Sequence, residues 1–299
     1  MPEKIIETRN LSYRFGANQV LDQVSIQVEA GSIYGFIGPN GAGKTTSIKI
    51  LLNLLQTEDK KVFLFGKEFR KNRINILSRI GSLIEQPAIY HHLSGRENLI
   101  NRARLLQISE VRVNEILKLV NLSEHADKKA GQYSLGMKQR LGIGLALLPD
   151  PELLILDEPT NGLDPNGIIE IRNLLRKLVY EMGKTVFISS HLLSEVEKMV
   201  SHLGIINHGK LVFQGSLEEL HKISKKQIHI QVSHPDKAKE LLLKNGYLTE
   251  LFDETLFIPY QSKEHVAEIN QLLVSNNHKV YSLSQSQENL ENLFLSITK

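Results

Sequence analysis

Short apolar runs recur along the chain, separated by segments whose apolar spacing is typical of helices. Four runs predict strands of a parallel core sheet, because each is separated from the next by enough chain for a crossover helix: residues 32–37, 153–156, 185–189 and 203–206. Two earlier runs, 5–11 and 24–28, predict strands of an antiparallel N-terminal layer. The pattern therefore predicts an α/β protein with a mixed sheet.

The remaining segments have a different periodicity. From about residue 88 to 150 the apolar positions follow helical spacing, which predicts an inserted helical subdomain. After a connector predicted at 221–227, the order β-α-β-β-α-β, closed by 288–298, fits a small ferredoxin-like unit. We therefore expect a larger domain over 1–220 and a C-terminal α+β domain over 228–299.

A glycine-rich loop follows the strand predicted at 32–37. Glycines permit positive φ and let backbone N–H groups converge on a phosphate, while Lys44 spans the β- and γ-phosphates and Thr45 ligates Mg²⁺. The helix predicted at 46–55 would direct its positive dipole end at the anion. The loop therefore predicts a nucleoside triphosphate site, formed by Gly38, Pro39, Asn40, Gly41, Ala42, Gly43, Lys44, Thr45 and Thr46.

Two adjacent carboxylates, Asp157 and Glu158, end the apolar strand predicted at 153–156. Asp157 is placed to hold the Mg²⁺ hydration shell, and Glu158 to polarise the water that attacks the γ-phosphate. The alternative is a polar turn after a buried strand. Beside a phosphate-binding loop, the catalytic interpretation is favoured.

A second candidate anion site precedes the apolar helix that runs to Leu148. Ser134 is a plausible N-cap, and Gly136 leaves its N–H accessible in the first helical turn. Ordinary helix capping explains the same residues. A single bound nucleotide does not need both this site and the glycine-rich loop of the same chain.

Composition and charge narrow the classes of protein and partner. A net charge of +3 over 299 residues, with short lysine pairs such as Lys225-Lys226, does not indicate a nucleic-acid partner. The absence of cysteine excludes disulfides and thiolate metal sites. Residues 1–10 lack a signal-peptide core, and the longest apolar stretch, 141–148, is shorter than the roughly 20 residues of a membrane span. We expect no direct membrane insertion.

Five motifs occur in a fixed order: GPNGAGKTT at 38–46, YSLGMKQR at 133–140, LLILDEP at 153–159, NGLD at 161–164 and SSH at 189–191. The series resembles the ATP-binding cassette ATPases and covers residues 5–215. The resemblance implies a P-loop NTPase cassette, with ATP and Mg²⁺ as its ligands. It also implies that two cassettes bind two ATP molecules head to tail, with Ser134 and Gly136 of one copy completing the P-loop site of the other.

The resemblance also implies roles for single residues. His191 would be a switch that contacts the γ-phosphate, although a histidine at the entry to a surface helix is the alternative. Asp164 would lie at the dimer seam. Phe15 would stack on adenine, with Tyr13 as the other candidate for this platform.

The chain departs from the commonest cassette pattern at two places. Leu135 and Met137 replace glycine and glutamine in the second motif, as in the drug and peptide efflux subgroup. Glu85 stands where cassettes usually carry glutamine, which resembles the bacitracin-resistance and lantibiotic-immunity exporters. A carboxylate there would add negative charge beside the metal. The alternative is that Gln86 takes the usual role after a shift of one residue.

The sequence thus predicts an ATP-hydrolysing subunit of an exporter, with Glu158 as base and Lys44 stabilising the γ-phosphate charge. Its expected partners are an integral membrane permease and a second cassette, and its expected place is the cytoplasmic face of the cell membrane. The alternatives are an importer cassette, a soluble cassette acting on ribosomes or DNA, and a P-loop switch or kinase. The C-terminal domain is predicted to stabilise a dimer, with a regulatory ligand domain as the alternative.

Overall fold

The computed structural model describes residues 3–57, 60–223, 226–287 and 293. Its contacts divide the chain into a larger unit that extends to Leu217 and a smaller unit that begins at Glu218. Lys225 and the predicted closing segment 288–298, apart from Leu293, lie outside the described residues. Within the described ranges, no helix combines the length and apolarity that crossing a membrane requires.

The N-terminal layer contains a hairpin that was not predicted. Its strands are β1 (Lys4–Thr8), β2 (Leu11–Phe15), β3 (Asn18–Val24) and β4 (Gln27–Glu29). β1 pairs antiparallel with β4, while β2 and β3 form the hairpin between them. The strands predicted at 5–11 and 24–28 are wrong in their bounds, because the chain turns at Asn10, where φ is 45°.

The larger unit continues with alternating strands and helices. The next elements are β5 (Ile33–Ile37), α1 (Lys44–Leu51), β6 (Val62–Leu64), β7 (Lys67–Glu68), α2 (Arg73–Leu77) and β8 (Ile80–Leu83). The prediction of a helix at 46–55 is wrong in its bounds. α1 ends at Leu51 because Asn53 leaves helical geometry with φ of 56°.

Three helices lie in the region predicted to be helical, and the strands of the core resume after them. The helices are α3 (Gly95–Leu105), α4 (Glu110–Leu119) and α5 (Leu135–Leu147). They are followed by β9 (Leu153–Leu156), α6 (Pro165–Tyr180), β10 (Thr185–Ser190), α7 (Leu193–Val196), β11 (His202–Asn207) and β12 (Lys210–Ser216).

The central sheet has the strand order β12-β11-β5-β10-β9-β8. All neighbours pair in parallel except β12, which is antiparallel to β11. Every residue of β5, β9 and β10 is buried, and this burial on both faces explains why their sequences are continuous apolar runs. The register pairs Ser190 with Ile37 and Ile188 with Leu156. The segments that follow these three strands therefore leave the same edge of the sheet.

The smaller unit begins within a helix, so the predicted connector at 221–227 is wrong. α8 (Leu217–Ile223) occupies its first part, and a strand already begins at Lys226. The apolar side of α8 explains this difference, because Leu220 is fully buried. The remaining elements are β13 (Lys226–Val232), α9 (Pro235–Lys244), β14 (Glu250–Phe252), β15 (Thr255–Pro259), α10 (Lys263–Ser275) and β16 (Val280–Gln287).

The sheet of the smaller unit has the order β14-β15-β13-β16, with every pair antiparallel. With one helix after β13 and one after β15, this is the arrangement of a ferredoxin-like unit. Ile228 and Ile230 of β13 share a buried core with Leu242 of α9 and Leu273 of α10. The unit thus has a hydrophobic core of its own, as an independent domain requires.

This separate core predicts a contrast between two neighbouring leucines of α9. Leu242 is fully buried, whereas Leu243 is 47% exposed. We expect Leu242→Ala to lower the free energy of unfolding of the smaller unit by about 2–5 kcal/mol, because it leaves a cavity. Leu243→Ala should change it by less than about 0.5 kcal/mol. Urea unfolding monitored by circular dichroism measures both, and equal losses would contradict the described core.

Candidate functional site

The glycine-rich loop of residues 38–46, here called the P-loop, leads from β5 into α1. Packing and backbone geometry require glycine at two of its positions. A Cβ on Gly38 would lie 2.3 Å from the Ile206 carbonyl oxygen. Gly43 has φ of 110°, and a Cβ there would lie 2.6 Å from Leu21 Cδ2. The loop is thereby held against β3 and β11, and α1 begins within it at Lys44. The N–H groups of the first helical turn have no partner within the helix, which makes this end of α1 suitable for an anion.

The Lys44 side chain is only 6% exposed and curls back over the P-loop. Its Nζ donates hydrogen bonds to the carbonyl oxygens of Gly38, at 2.7 Å, and Pro39, at 3.2 Å. Nζ also lies 3.3 Å from Glu158 Oε1. The ammonium group therefore lies between the loop and the second of the two adjacent carboxylates.

The first carboxylate, Asp157, is buried and bonded on both oxygens. Thr45 Oγ1 donates to Asp157 Oδ2 at 2.9 Å, and Ser189 Oγ donates to Oδ1 at 2.5 Å. Ser189 Oγ also accepts a hydrogen bond from the Glu158 backbone N–H at 2.9 Å. One fully buried hydroxyl on β10 thus holds both carboxylate residues after β9. A buried anion needs such partners to offset the loss of hydration.

Ser189 was not among the predicted site residues. Ser189 belongs to the SSH motif, in which only His191 was predicted to have a role. The missing information is the register of β9 and β10, in which Ile188 pairs with Leu156, so that the next residues of each strand lie side by side.

The second carboxylate, Glu158, lies between two basic side chains. Its Oε2 is 2.9 Å from His191 Nδ1, a hydrogen-bond distance, while its Oε1 faces Lys44. Glu158 has φ of 48°, a left-handed conformation that few residues other than glycine adopt. Such local strain is common at functional sites. The structure therefore brings the three predicted catalytic side chains together.

The donor set beside the P-loop fits a hard divalent cation such as Mg²⁺. The Thr45 hydroxyl and the Asp157 carboxylate supply oxygen ligands, which Mg²⁺ prefers. The described residues contain no cluster of three or more histidines, cysteines or carboxylates that could hold a metal. A Mg²⁺ ion here would therefore take its other ligands from water and from the phosphates of a nucleotide, as is usual for Mg²⁺.

Glu85 and Gln86 both line the cleft that contains Thr45 and Asp157. The Glu85 carboxylate is 66% exposed and lies 3.1 Å from Lys49 Nζ. The Glu85 carboxylate thus pairs with a lysine of α1 rather than with Thr45 or Asp157. The metal role of Glu85 stays a prediction, with Gln86 as the alternative.

The predicted second anion site uses its serine as a helix cap. Ser134 Oγ accepts a hydrogen bond from the Met137 backbone N–H at 3.2 Å. The position of a Cβ on Gly136 would lie 3.9 Å from both the Gly167 Cα and Leu163 Cδ2. The cleft that contains Thr45 is lined by other residues of α5, namely Leu135, Lys138 and Gln139, and neither Ser134 nor Gly136 is among its lining residues.

Asp164 and Phe15, the other predicted residues, lie on the surface of the larger unit. Asp164 caps α6, because its Oδ1 accepts from the Gly167 backbone N–H at 3.0 Å. The Phe15 ring is 51% exposed and meets the Tyr13 ring edge to face at 5.1 Å. Tyr13 packs against the core of the larger unit. Of the two aromatic residues, Phe15 has the more accessible ring.

The chain is similar in sequence and in fold to ATP-binding proteins of transporters. The family model described as ABC transporter matches residues 21–161. The chain is 42% identical to the bacitracin transport ATP-binding protein BcrA of Bacillus licheniformis, over 98% of this chain and 97% of that protein. It is 41% identical to the lantibiotic transport ATP-binding protein SrtF of Streptococcus pyogenes, over 72% and 95%. A solved ATP-binding subunit of an ABC transporter matches 73% of the chain and 92% of that structure, with 27% identity and a TM-score of 0.64.

The two bonds of the Ser189 hydroxyl predict a catalytic defect on its removal. We expect Ser189→Ala to lower kcat for ATP hydrolysis about tenfold or more, because a buried carboxylate and the Glu158 N–H each lose a partner. The control is Ser32→Ala, which removes another buried hydroxyl, one that donates to the Glu29 carbonyl oxygen at the opposite end of β5. Steady-state phosphate release measures both variants. Equal rates for the two variants would contradict the role of Ser189.

Proposed function

Because the chain belongs to the family of ABC transporter ATP-binding proteins, we propose that it hydrolyses ATP to power export of a peptide antibiotic through a separate membrane permease. The observation that carries the proposal is the position of Glu158, between Lys44 and His191 and directly after Asp157. A carboxylate in this position is suited to accept a proton from an attacking water, because both of its oxygens are oriented by fixed basic groups.

The P-loop supports the assignment of each residue to a part of the reaction. Backbone N–H groups at the start of α1 bind the phosphates, and Lys44 exchanges its bonds to the Gly38 and Pro39 carbonyls for phosphate oxygens. Thr45 and Asp157 would hold Mg²⁺, which supplies charge neutralisation on the phosphates when bound. Glu158 accepts the proton of the attacking water, and His191 orients the γ-phosphate.

We propose that a second copy of the chain completes the site. Ser134 and Gly136 are absent from the lining of the cleft that holds Thr45 and Asp157. In the proposed homodimer they contact the γ-phosphate bound by the partner, where the N-terminus of α5 favours negative charge. Asp164 would lie at the seam, because it caps the helix whose Gly167 lies beside Gly136.

A groove beside the cleft is suited to dock a permease. Gln86 lines both the cleft and a neighbouring groove between β8 and the helical region, where Leu83, Arg102 and Leu145 also contribute. We propose that this groove receives a helix of the permease on the cytoplasmic face of the membrane. A single residue shared by the two surfaces would link docking to the nucleotide site.

The proposal that the transported substrate is a peptide antibiotic depends on the relatives. Two of them are named as bacitracin and lantibiotic transport proteins, and the identity to the first extends over 98% of this chain. The substrate itself contacts the permease in this scheme, so the residues of this chain act on transport only through ATP hydrolysis and docking.

Replacement of the proposed base tests the function at the level of chemistry and of transport. We expect Glu158→Gln to abolish ATP hydrolysis and to retain ATP-dependent dimerisation, because the amide keeps the shape of the side chain and cannot accept the proton. Phosphate release and light scattering measure the two properties. In cells that also express a candidate permease, wild-type protein should raise resistance to bacitracin or a lantibiotic, and the variant should not.

The control is Glu181→Gln at the exposed end of α6, which should behave as wild type. Undiminished phosphate release from Glu158→Gln would overturn the catalytic assignment. Wild-type hydrolysis without any change in peptide resistance would overturn only the proposed substrate.

A further inference from the structure

Two segments that leave neighbouring strands contact each other twice. The first, here called the carboxylate loop, comprises residues 157–164 after β9. The second, here called the histidine segment, comprises residues 191–196 after β10 and includes α7. The first contact is Glu158 Oε2 with His191 Nδ1 at 2.9 Å. The second is Thr160 Oγ1, which donates to Glu195 Oε2 at 2.6 Å.

The second contact is short and charge-assisted. Thr160 is only 5% exposed, and Glu195 is half-buried in the first turn of α7. A hydrogen bond from a buried hydroxyl to a carboxylate is about twice as strong as one between neutral groups. Loss of either partner would leave the other polar group poorly solvated.

The two segments are short, and each has contacts of its own. α7 spans only Leu193–Val196, no side chain caps its N-terminus, and its Leu193 and Val196 side chains are buried. The carboxylate loop is a pair of tight turns, with Asn161 N–H donating to the Glu158 carbonyl oxygen at 3.1 Å and Leu163 N–H to the Thr160 carbonyl oxygen at 3.2 Å. The loop then ends at Asp164, which caps α6. Thr160 therefore lies in the chain between the proposed base, Glu158, and the proposed dimer seam at Asp164.

We propose that Thr160 and Glu195 form a positioning pair that holds His191 beside Glu158 and moves the histidine segment together with the carboxylate loop. The inference rests on the proposed function of Glu158 and His191. In the reaction, His191 exchanges its contact with Glu158 for the γ-phosphate, so the first contact is temporary. Neither Thr160 nor Glu195 lines the cleft that contains Glu158, so the bond between them persists.

A double-mutant cycle tests the pair. Thr160→Val removes the hydroxyl with little change of shape, and Glu195→Ala removes the acceptor. Each should lower kcat about tenfold with the affinity for ATP unchanged, because the pair orients catalytic groups and does not contact the nucleotide. The double variant should be no slower than the slower single variant, because both substitutions break one bond.

The conservative variants separate positioning from a merely structural role. Thr160→Ser and Glu195→Gln each keep the donor or the acceptor oxygen and should retain most of the wild-type kcat. Glu197→Ala, which removes a carboxylate two residues beyond Glu195, is the matched control and should hydrolyse ATP at the wild-type rate. Steady-state phosphate release gives kcat. Binding of a fluorescent ATP analogue, measured with each substitution combined with Glu158→Gln, gives the affinity for ATP.

Unchanged kcat in both single variants, additive losses in the double variant, or equal losses in the conservative variants would each overturn the inference. Loss of ATP affinity in parallel with kcat would also overturn it. These outcomes are distinct from failure of the proposed function, which would appear as full activity of Glu158→Gln in the otherwise wild-type chain.

Discussion

The parallel register of β5, β9 and β10 is the constraint from which the site follows. Ile37, Leu156 and Ser190 end these strands at one edge of the sheet, so the P-loop, the carboxylate loop and the histidine segment leave the sheet side by side. Parallel strands need long connections between them. Groups separated by more than a hundred residues, such as Lys44 and Glu158, therefore approach within 3.3 Å. A slip of one residue in this register would turn Ser189 away from Asp157.

Within this edge, buried hydroxyls determine where the carboxylates lie. Asp157 accepts one hydrogen bond from α1, through Thr45, and one from β10, through Ser189. Because the group is almost fully buried, each bond is stronger than it would be in water, and each unmade bond costs more. Glu158 is less buried and lies between Lys44 and His191. The two neighbouring carboxylates thus lie in different environments, which is consistent with the different roles proposed for them.

Much of the site was predictable, because its chemistry is encoded in contiguous motifs. The P-loop, Asp157 and Glu158 were each predicted from a short run, His191 was implied by the family resemblance, and the relatives confirm the family. Ser189 was missed because its role depends on a register between strands that are far apart in sequence. The hairpin of β2 and β3 was missed because the turn at Asn10 depends on a left-handed residue that is not glycine. Ser134 is the converse case. The family resemblance implies a role between two chains, whereas its hydrogen bond within one chain is an ordinary helix cap.

The central claim is that one chain holds only half of each catalytic site. Complementation between two inactive variants, Lys44→Ala and Ser134→Arg, tests it most directly. If the P-loop of one copy works with Ser134 of the other, mixed dimers contain one intact site, and an equimolar mixture should regain about a quarter of wild-type ATP hydrolysis. If both residues serve the same chain's site, every site is defective, and the mixture should remain as inactive as either variant alone.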